Sequence, residues 1–271
     1  MLEFLQSVQP QNIPAEVHPA LFYVAMGAAV LVVGIAKAGF GGGIGVLAVP
    51  LMAMAVGPEQ MLGIMLPLLI ACDIFSNLHH LGQWDWRLLR WLVPGAVLGV
   101  AAGTVVLWRL GTLPPAEFNQ IMNLTVGGIC LFIVAVQVLR MIGARIPILP
   151  AHPLSSLAVG GIAGGVSTLN HSAGPIVQIY MLQLKVPKRL LVGSMLLYFL
   201  LINTAKVPTF VALGYINGQS LRDSIWFIPL IPVGTLLGAW MNKHVAERPF
   251  AAIMYIGAAG AAGHLIFKGL Q

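Results

Sequence analysis

Long apolar stretches separated by short polar or proline-bearing joints fill most of this chain. They run near residues 19–37, 45–56, 60–79, 88–108, 118–140, 153–168, 173–184, 188–212, 223–242 and 249–268. A helix that spans a bilayer needs about 20 mostly apolar residues, and most of these stretches approach or exceed that length. The joints carry helix-breaking punctuation at Gly57-Pro58, Pro114-Pro115, Pro147 to Pro153 and Arg248-Pro249. The pattern predicts an all-α polytopic membrane protein. Two stretches, 45–56 and 173–184, are only about half as long as a span. Each follows a segment too rich in glycine or polar residues for a comfortable continuous helix: GFGGGIG over Gly39 to Gly45, and STLNHSAG over Ser167 to Gly174.

The two breaks point to an internal repeat. Placing Gly45 on Gly174 sets an offset of 129, and later matches keep roughly that spacing. Asp73 falls on Asn203, Phe118-x-x-Ile121-Met122 on Phe250-x-x-Ile253-Met254, and Gly95-x-x-x-Gly99 on Gly234-x-x-x-Gly238. The expected organisation is an N-terminal segment (1–18), a first membrane repeat (19–142), a linker (143–152) and a second repeat (153–271). If each break is a re-entrant pair, each half keeps about three full crossings and the halves are inverted. Arg87, Arg90, Arg140, Arg145, Lys185, Lys188, Arg189, Lys243 and Arg248 then share one side, leaving Arg109, Arg222 and Lys268 on the other. The positive-inside rule favours that asymmetric arrangement over full crossings, which would divide the charges evenly.

Composition agrees: 58% of the residues are hydrophobic, 8% are charged, and the mean hydropathy is +0.91. Soluble domains carry about 25% charged residues, so this chain lacks a water-facing surface. Its net charge of +6 sits in loops and contains no basic run, which argues against nucleic-acid binding. Cys72 and Cys130 lie inside apolar stretches and read as small core residues. The opening MLEFLQSVQPQNIPAEVH has neither a basic start nor an early apolar run, so no cleaved signal peptide is expected.

Irregular backbone at membrane depth persists only where protein or a polar cavity satisfies it. Two such breaks at matching positions are the best pointer to a transporter site. Half-helices starting after Gly41-Gly42-Gly43 and after Asn170-His171-Ser172 would aim free N–H groups and a positive dipole end at an anion. Three ionisable residues lie inside apolar stretches, each costing roughly 2.5 kcal/mol or more at mid-membrane: Lys37, Asp73 and Lys206. Because Lys206 aligns with Ser76, one turn from Asp73, an Asp73–Lys206 ion pair is expected, leaving Lys37 for a ligand. Two cations and one anion leave a net positive charge, the sign expected of an anion site. The candidate binding residues are therefore Lys37, Gly39, Gly41, Gly42, Gly43, Ser167, Asn170, His171, Ser172 and Lys206, with Asn170 and His171 expected to face a cavity. Asp73 and His171 are the candidates for proton coupling. Asn77, His79 and His80, near Trp84 and Trp86, read as an interfacial belt, and Tyr198, Asn203 and Thr204 as path-lining or helix-bonding residues. No G-x-S-x-G, H-E-x-x-H, C-x-x-C or P-loop is present, and neither a metal nor a cofactor is expected.

With those residues in view, the sequence resembles the sulfite exporter TauE/SafE family of bacterial membrane permeases. The likeness rests on GIAKAGFGGGIGVLAVPLM (Gly34 to Met52), on GGIAGGVSTLNHSAGPIVQIYML (Gly160 to Leu182) and on the LKVPKRLLVGSMLLYFLLINTAKVPTF that follows. The resemblance implies a multi-pass inner-membrane protein that exports sulfite, sulfonates or related small sulfur-containing anions. The expected function is a secondary carrier for such an anion. An anion channel built on the same site, and a permease for a different small oxyanion or carboxylate, remain open alternatives. An intramembrane enzyme or a scaffold is disfavoured.

Overall fold

The computed structural model describes residues 19–40, 45–78, 80–144, 149–150, 152–184 and 186–271. Gly41, Gly42, Gly43, His79, Arg145 and Lys185 lie outside the described residues, as do the segment 1–18 and part of the expected linker. The described residues form eleven α-helices and no strand. In the first half these are α1 (Pro19–Phe40), α2 (Ala48–Val56), α3 (Pro58–Leu78), α4 (Trp86–Leu110) and α5 (Pro115–Met141). The second half holds α6 (Pro153–Asn170), α7 (Gly174–Leu182), α8 (Lys188–Ala212), α9 (Gly218–Phe227), α10 (Leu230–His244) and α11 (Glu247–Gly269). A short 3₁₀ turn, Gly45–Leu47, leads into α2.

Six helical stretches are long and apolar enough to cross a membrane: Phe22–Gly39, Pro58–Leu78, Trp86–Leu110, Pro115–Met141, Arg189–Ala212 and Arg248–Gly269. This is a multi-pass membrane architecture. Two expectations shift in detail. The first arm of the first break is itself long enough to span, whereas α6, its counterpart, does not meet that test. The stretch expected over 223–242 is two helices, α9 and α10, bent by 45°. Pro229 and Pro232 explain the bend, because neither can donate a backbone hydrogen bond.

Close backbone approaches hold the two halves together, each joining an element of one half to an element of the other. A Cβ added to Gly95, Gly99, Gly160 or Gly164 would run into backbone of the partner helix, so α4 and α6 touch main chain to main chain. The pairing is parallel, with Gly95 at Leu157 and Gly99 at Gly161. Likewise α1 runs parallel to α10, with Gly34 at Gly234 and Gly39 at Gly238. Without a hydrophobic drive between helices in lipid, such small-residue seams are what lets them associate closely. The Gly-x-x-x-Gly repeats of α4 and α10 thus do the same job at matching places.

Each break is a helical hairpin. The α6–α7 hairpin starts and finishes at one end of the molecule, where Ser156 and Tyr180 share a 2.7 Å hydrogen bond and where Arg87, His152 and Leu184 meet. The α1–α2 hairpin starts beside α9, with Phe22 and Tyr23 against Phe227. It returns through Gly57 to the end of the molecule that holds Glu59 and Tyr215.

Replacing Gly164 by Ala puts a Cβ onto the Ala96 carbonyl and is expected to cost about 1–3 kcal/mol. Gly260 and Gly263 have open space at the corresponding position, so Gly260→Ala should leave stability unchanged or raise it slightly. Thermal melting of the purified variants in one detergent checks both.

Candidate functional site

The tip of the second hairpin is shaped by His171. This residue takes the left-handed conformation (φ 59°) as C-cap of α6, its N–H donating to the Ser167 carbonyl. The side chain of Asn170 braces the turn, its Oδ1 accepting from the Ser172 N–H at 3.1 Å and from the Ser172 hydroxyl at 2.6 Å. Chain direction therefore reverses within three residues, and α7 starts at Gly174 with Pro175 in its first turn.

His171 reaches across to both neighbouring layers. Its Nε2 lies 3.2 Å from the Leu62 carbonyl of α3 and its Nδ1 lies 3.0 Å from Lys206 Nζ of α8. A carbonyl can only accept and an ammonium can only donate, so these partners assign the neutral tautomer with the proton on Nε2. Lys206 spends its other two N–H groups on the Ser167 carbonyl (3.1 Å) and hydroxyl (3.0 Å). The ammonium is fully buried and has three neutral acceptors.

Asp73 is equally buried, but its partners differ from those expected of it. The expected Asp73–Lys206 pair does not form. Asp73 Oδ1 instead pairs with Lys37 Nζ, and Oδ2 accepts from Asn203 Nδ2 at 2.7 Å. Lys37 donates also to the Leu69 carbonyl at 3.3 Å. The packing of α1 sets this choice: its glycine seam with α10 places Lys37 over α3. Lys206 is meanwhile drawn off by the hairpin tip.

These groups surround a cavity of about 50 Å³, room for a few waters by the usual measure of about 10–15 Å³ each. Its polar wall is Lys37, Ser167, His171, Ser172 and Asn203, with the N-terminal turn of α7 at Gly174 and Pro175. Val33, Val49, Met65, Leu69 and Phe199 form the apolar wall. Of the sequence-predicted residues, Lys37, Ser167, His171 and Ser172 thus meet on one cavity. Lys206 and Asp73 stand behind its wall as partners of lining residues. Asn170, expected to face the cavity, is not on the wall, because its side chain is committed to the turn. Gly39 is taken up by packing on Gly238. Phe199 carried no sequence signal and was missed. Asn203 had one, its alignment with Asp73, and the two aligned residues are in direct contact. No group of His, Cys, Asp and Glu among the described residues could hold a metal ion.

The model of one family, described as "Sulfite exporter TauE/SafE", matches residues 26–265. The chain belongs to the sulfite exporter TauE/SafE family. The match takes in both hairpins, all of the cavity wall and every helix from α2 to α10. Membership makes this a multi-pass membrane permease of a family associated with sulfur anions. No curated protein and no solved structure matches the chain.

Within this TauE/SafE protein the Lys37–Asp73 pair is expected to contribute to stability. Removing one partner of a buried pair leaves the other uncompensated, at about 3–5 kcal/mol. Asp73→Ala is therefore expected to lower thermal stability more than the Lys37→Ala/Asp73→Ala double variant does. Unfolding of both in the same detergent would show this; equal losses would mean that the pair is not the determinant.

Proposed function

We propose that this protein is a secondary carrier for a small inorganic sulfur oxyanion, sulfite in the first instance, and that it exports it across a bacterial inner membrane. The observation that carries the reading is the charge at the centre. Two ammonium groups, Lys37 and Lys206, stand in a buried cluster with one carboxylate, Asp73, which pairs with Lys37 alone. One positive charge is left over beside a cavity whose wall offers the Lys37 ammonium, the Ser167 hydroxyl and the Gly174 end of α7 as donors. An oxyanion supplies the missing negative charge and accepts those hydrogen bonds. The small volume favours sulfite over a bulkier sulfonate.

The mechanism follows from which contacts can be exchanged. Lys37 lines the cavity, whereas Lys206 is tied behind it by three acceptors. A bound anion competes with Asp73 for Lys37. Once Lys37 turns to the anion, Asp73 keeps only Asn203, and a proton on Asp73 restores the balance. Asp73 is accordingly the coupling residue. His171, held as the neutral tautomer by Lys206 and Leu62, orients the wall and carries no transported proton.

Alternating access is supported by an inverted-repeat reading of the two halves. The hairpins enter from opposite ends, α1 pairs with α10 as α6 pairs with α4, and Asp73 meets its aligned residue Asn203. The cavity lies between elements of both halves, and because the seams tie α1 to α10 and α4 to α6, moving these two pairs relative to each other would change which end it opens to.

Flux of radiolabelled sulfite into proteoliposomes tests this. Saturable uptake, accelerated by sulfite inside, is expected of a carrier; uptake without trans-acceleration would indicate a channel. Lys37→Gln, checked for folding by gel filtration, should lower kcat/KM for sulfite by roughly 10- to 100-fold, the worth of one charge-assisted hydrogen bond at about 1.5–3 kcal/mol. Normal transport by this variant would remove Lys37 from the site.

A further inference from the structure

A second cavity of about 270 Å³ opens between α5, α7 and α11 and shares no lining residue with the central one. Its wall carries Arg140, Arg248, Gln137, Gln178, Leu182 and Tyr255. Arg140 sits in the last turn of α5, with Nη1 3.3 Å from Gln137 Oε1. Arg248 lies in the first turn of α11, whose N-cap, Ala246, offers no side-chain hydrogen bond to the free N–H groups. No described carboxylate lines the cavity or pairs with either arginine. Two guanidinium groups, with no carboxylate among the described residues beside them (the Glu247 side chain lies outside these), make a donor-rich hollow at the start of α11.

The neighbouring side chains show where this hollow opens. Val138 and Leu139, flanking its lining residues on α5, and Leu182 on α7 are all exposed and apolar. In a membrane protein that places the rim against lipid, while the arginines at the helix ends lie at headgroup depth. The opposite end of the same helix pair differs. There Gly127 closes on Ala262 and Ile266, and Gly269 on Leu124, so α5 and α11 meet without a gap. The hollow is thus particular to the end of the molecule where the loop arginines and lysines gather. Guanidinium forks match phosphate oxygens in geometry, and basic hollows between spanning helices on the positive side suit anionic headgroups.

We propose that this cavity binds the phosphate headgroup of an anionic phospholipid, held between Arg140 and Arg248. Gln137, buried one turn before Arg140, offers its amide nitrogen as a further donor. Because Gln178 and Leu182 belong to α7, a lipid seated here rests directly against the second hairpin, the element whose tip forms the central site.

Native mass spectrometry of the full chain in a neutral detergent tests the assignment, with phosphatidylglycerol, phosphatidylcholine and inorganic phosphate as separate probes. One phosphatidylglycerol per chain is expected, bound at concentrations at least fivefold below those needed for phosphatidylcholine. The Arg140→Gln/Arg248→Gln variant should lose that preference, the Arg140→Lys/Arg248→Lys variant should keep part of it, and Arg222→Gln at the other end should keep all of it. Equal binding of the two lipids, or a preference that survives the double Gln variant, would overturn the proposal. Arginine-dependent thermal stabilisation by inorganic phosphate without selective phosphatidylglycerol binding would overturn the lipid assignment in favour of a soluble oxyanion. None of these readouts depends on sulfite transport, so the site stands or falls apart from the central one.

Discussion

A buried ammonium in an apolar protein must find acceptors or leave, and this fold is arranged around two that stay. Neither Lys37 nor Lys206 can be satisfied by its own helix. Lys37 on α1 needs Asp73 and the Leu69 carbonyl of α3. Lys206 on α8 needs Ser167 and His171 at the tip between α6 and α7. Asp73 in turn needs Asn203 on α8. The result is a closed set of obligations linking the first hairpin, the two central helices and the second hairpin. Each unmet member would cost several kcal/mol at membrane depth, so the Lys37 turn of α1 and the tip of the second hairpin are held at the centre by electrostatics as well as by packing.

The glycine seams make that convergence sterically possible. An ammonium on α1 can sit over α3 only if α1 is drawn close to its other neighbour, and the backbone contacts at Gly34–Gly234 and Gly39–Gly238 do this. The α4–α6 seam performs the equivalent task for the second tip. Both seams join a first-half element to a second-half element, so any motion between halves has to move these helix pairs as units. Beside the cavity α3 and α8 meet through side chains, Asp73 to Asn203, while close backbone approaches hold each of them elsewhere, at Gly63–Tyr215 and Gly193–Gln83.

Much of this was legible in the sequence because its signals are local. Length and hydropathy marked the spans, glycine and polar residues marked both breaks, and the rarity of charge singled out Lys37, Asp73 and Lys206. What could not be read was the register between segments. Asp73 is one turn from the position aligned with Lys206, which favoured that pairing on paper. The actual partner is chosen by the rotation of α1 against α10, a contact spanning some two hundred residues of sequence. Asn170 misled for another reason. A polar residue at a tip can serve the cavity or the turn, and nearness to Ser172 in sequence does not say which. The bend before α10 could have been anticipated from Pro229 and Pro232, had the apolar run not masked them.

The proposed anion site depends on the unequal treatment of the two lysines. Had both been given carboxylates, the site would be neutral and already hydrogen-bonded, with nothing to gain from a ligand. Had neither been given one, two unpaired ammonium groups would have to be buried together, at a cost that a marginally stable chain does not sustain. A single carboxylate satisfies the exchangeable lysine, Lys37, in the empty state, while Lys206 is kept in place by neutral oxygens and an imidazole that cannot cancel its charge. On the proposed reading that leftover charge is balanced when an anion enters. Under the proposed mechanism, binding and the release of Asp73 from Lys37 would be one event, which is the condition for linking the passage of an anion to a change of state in the protein around it.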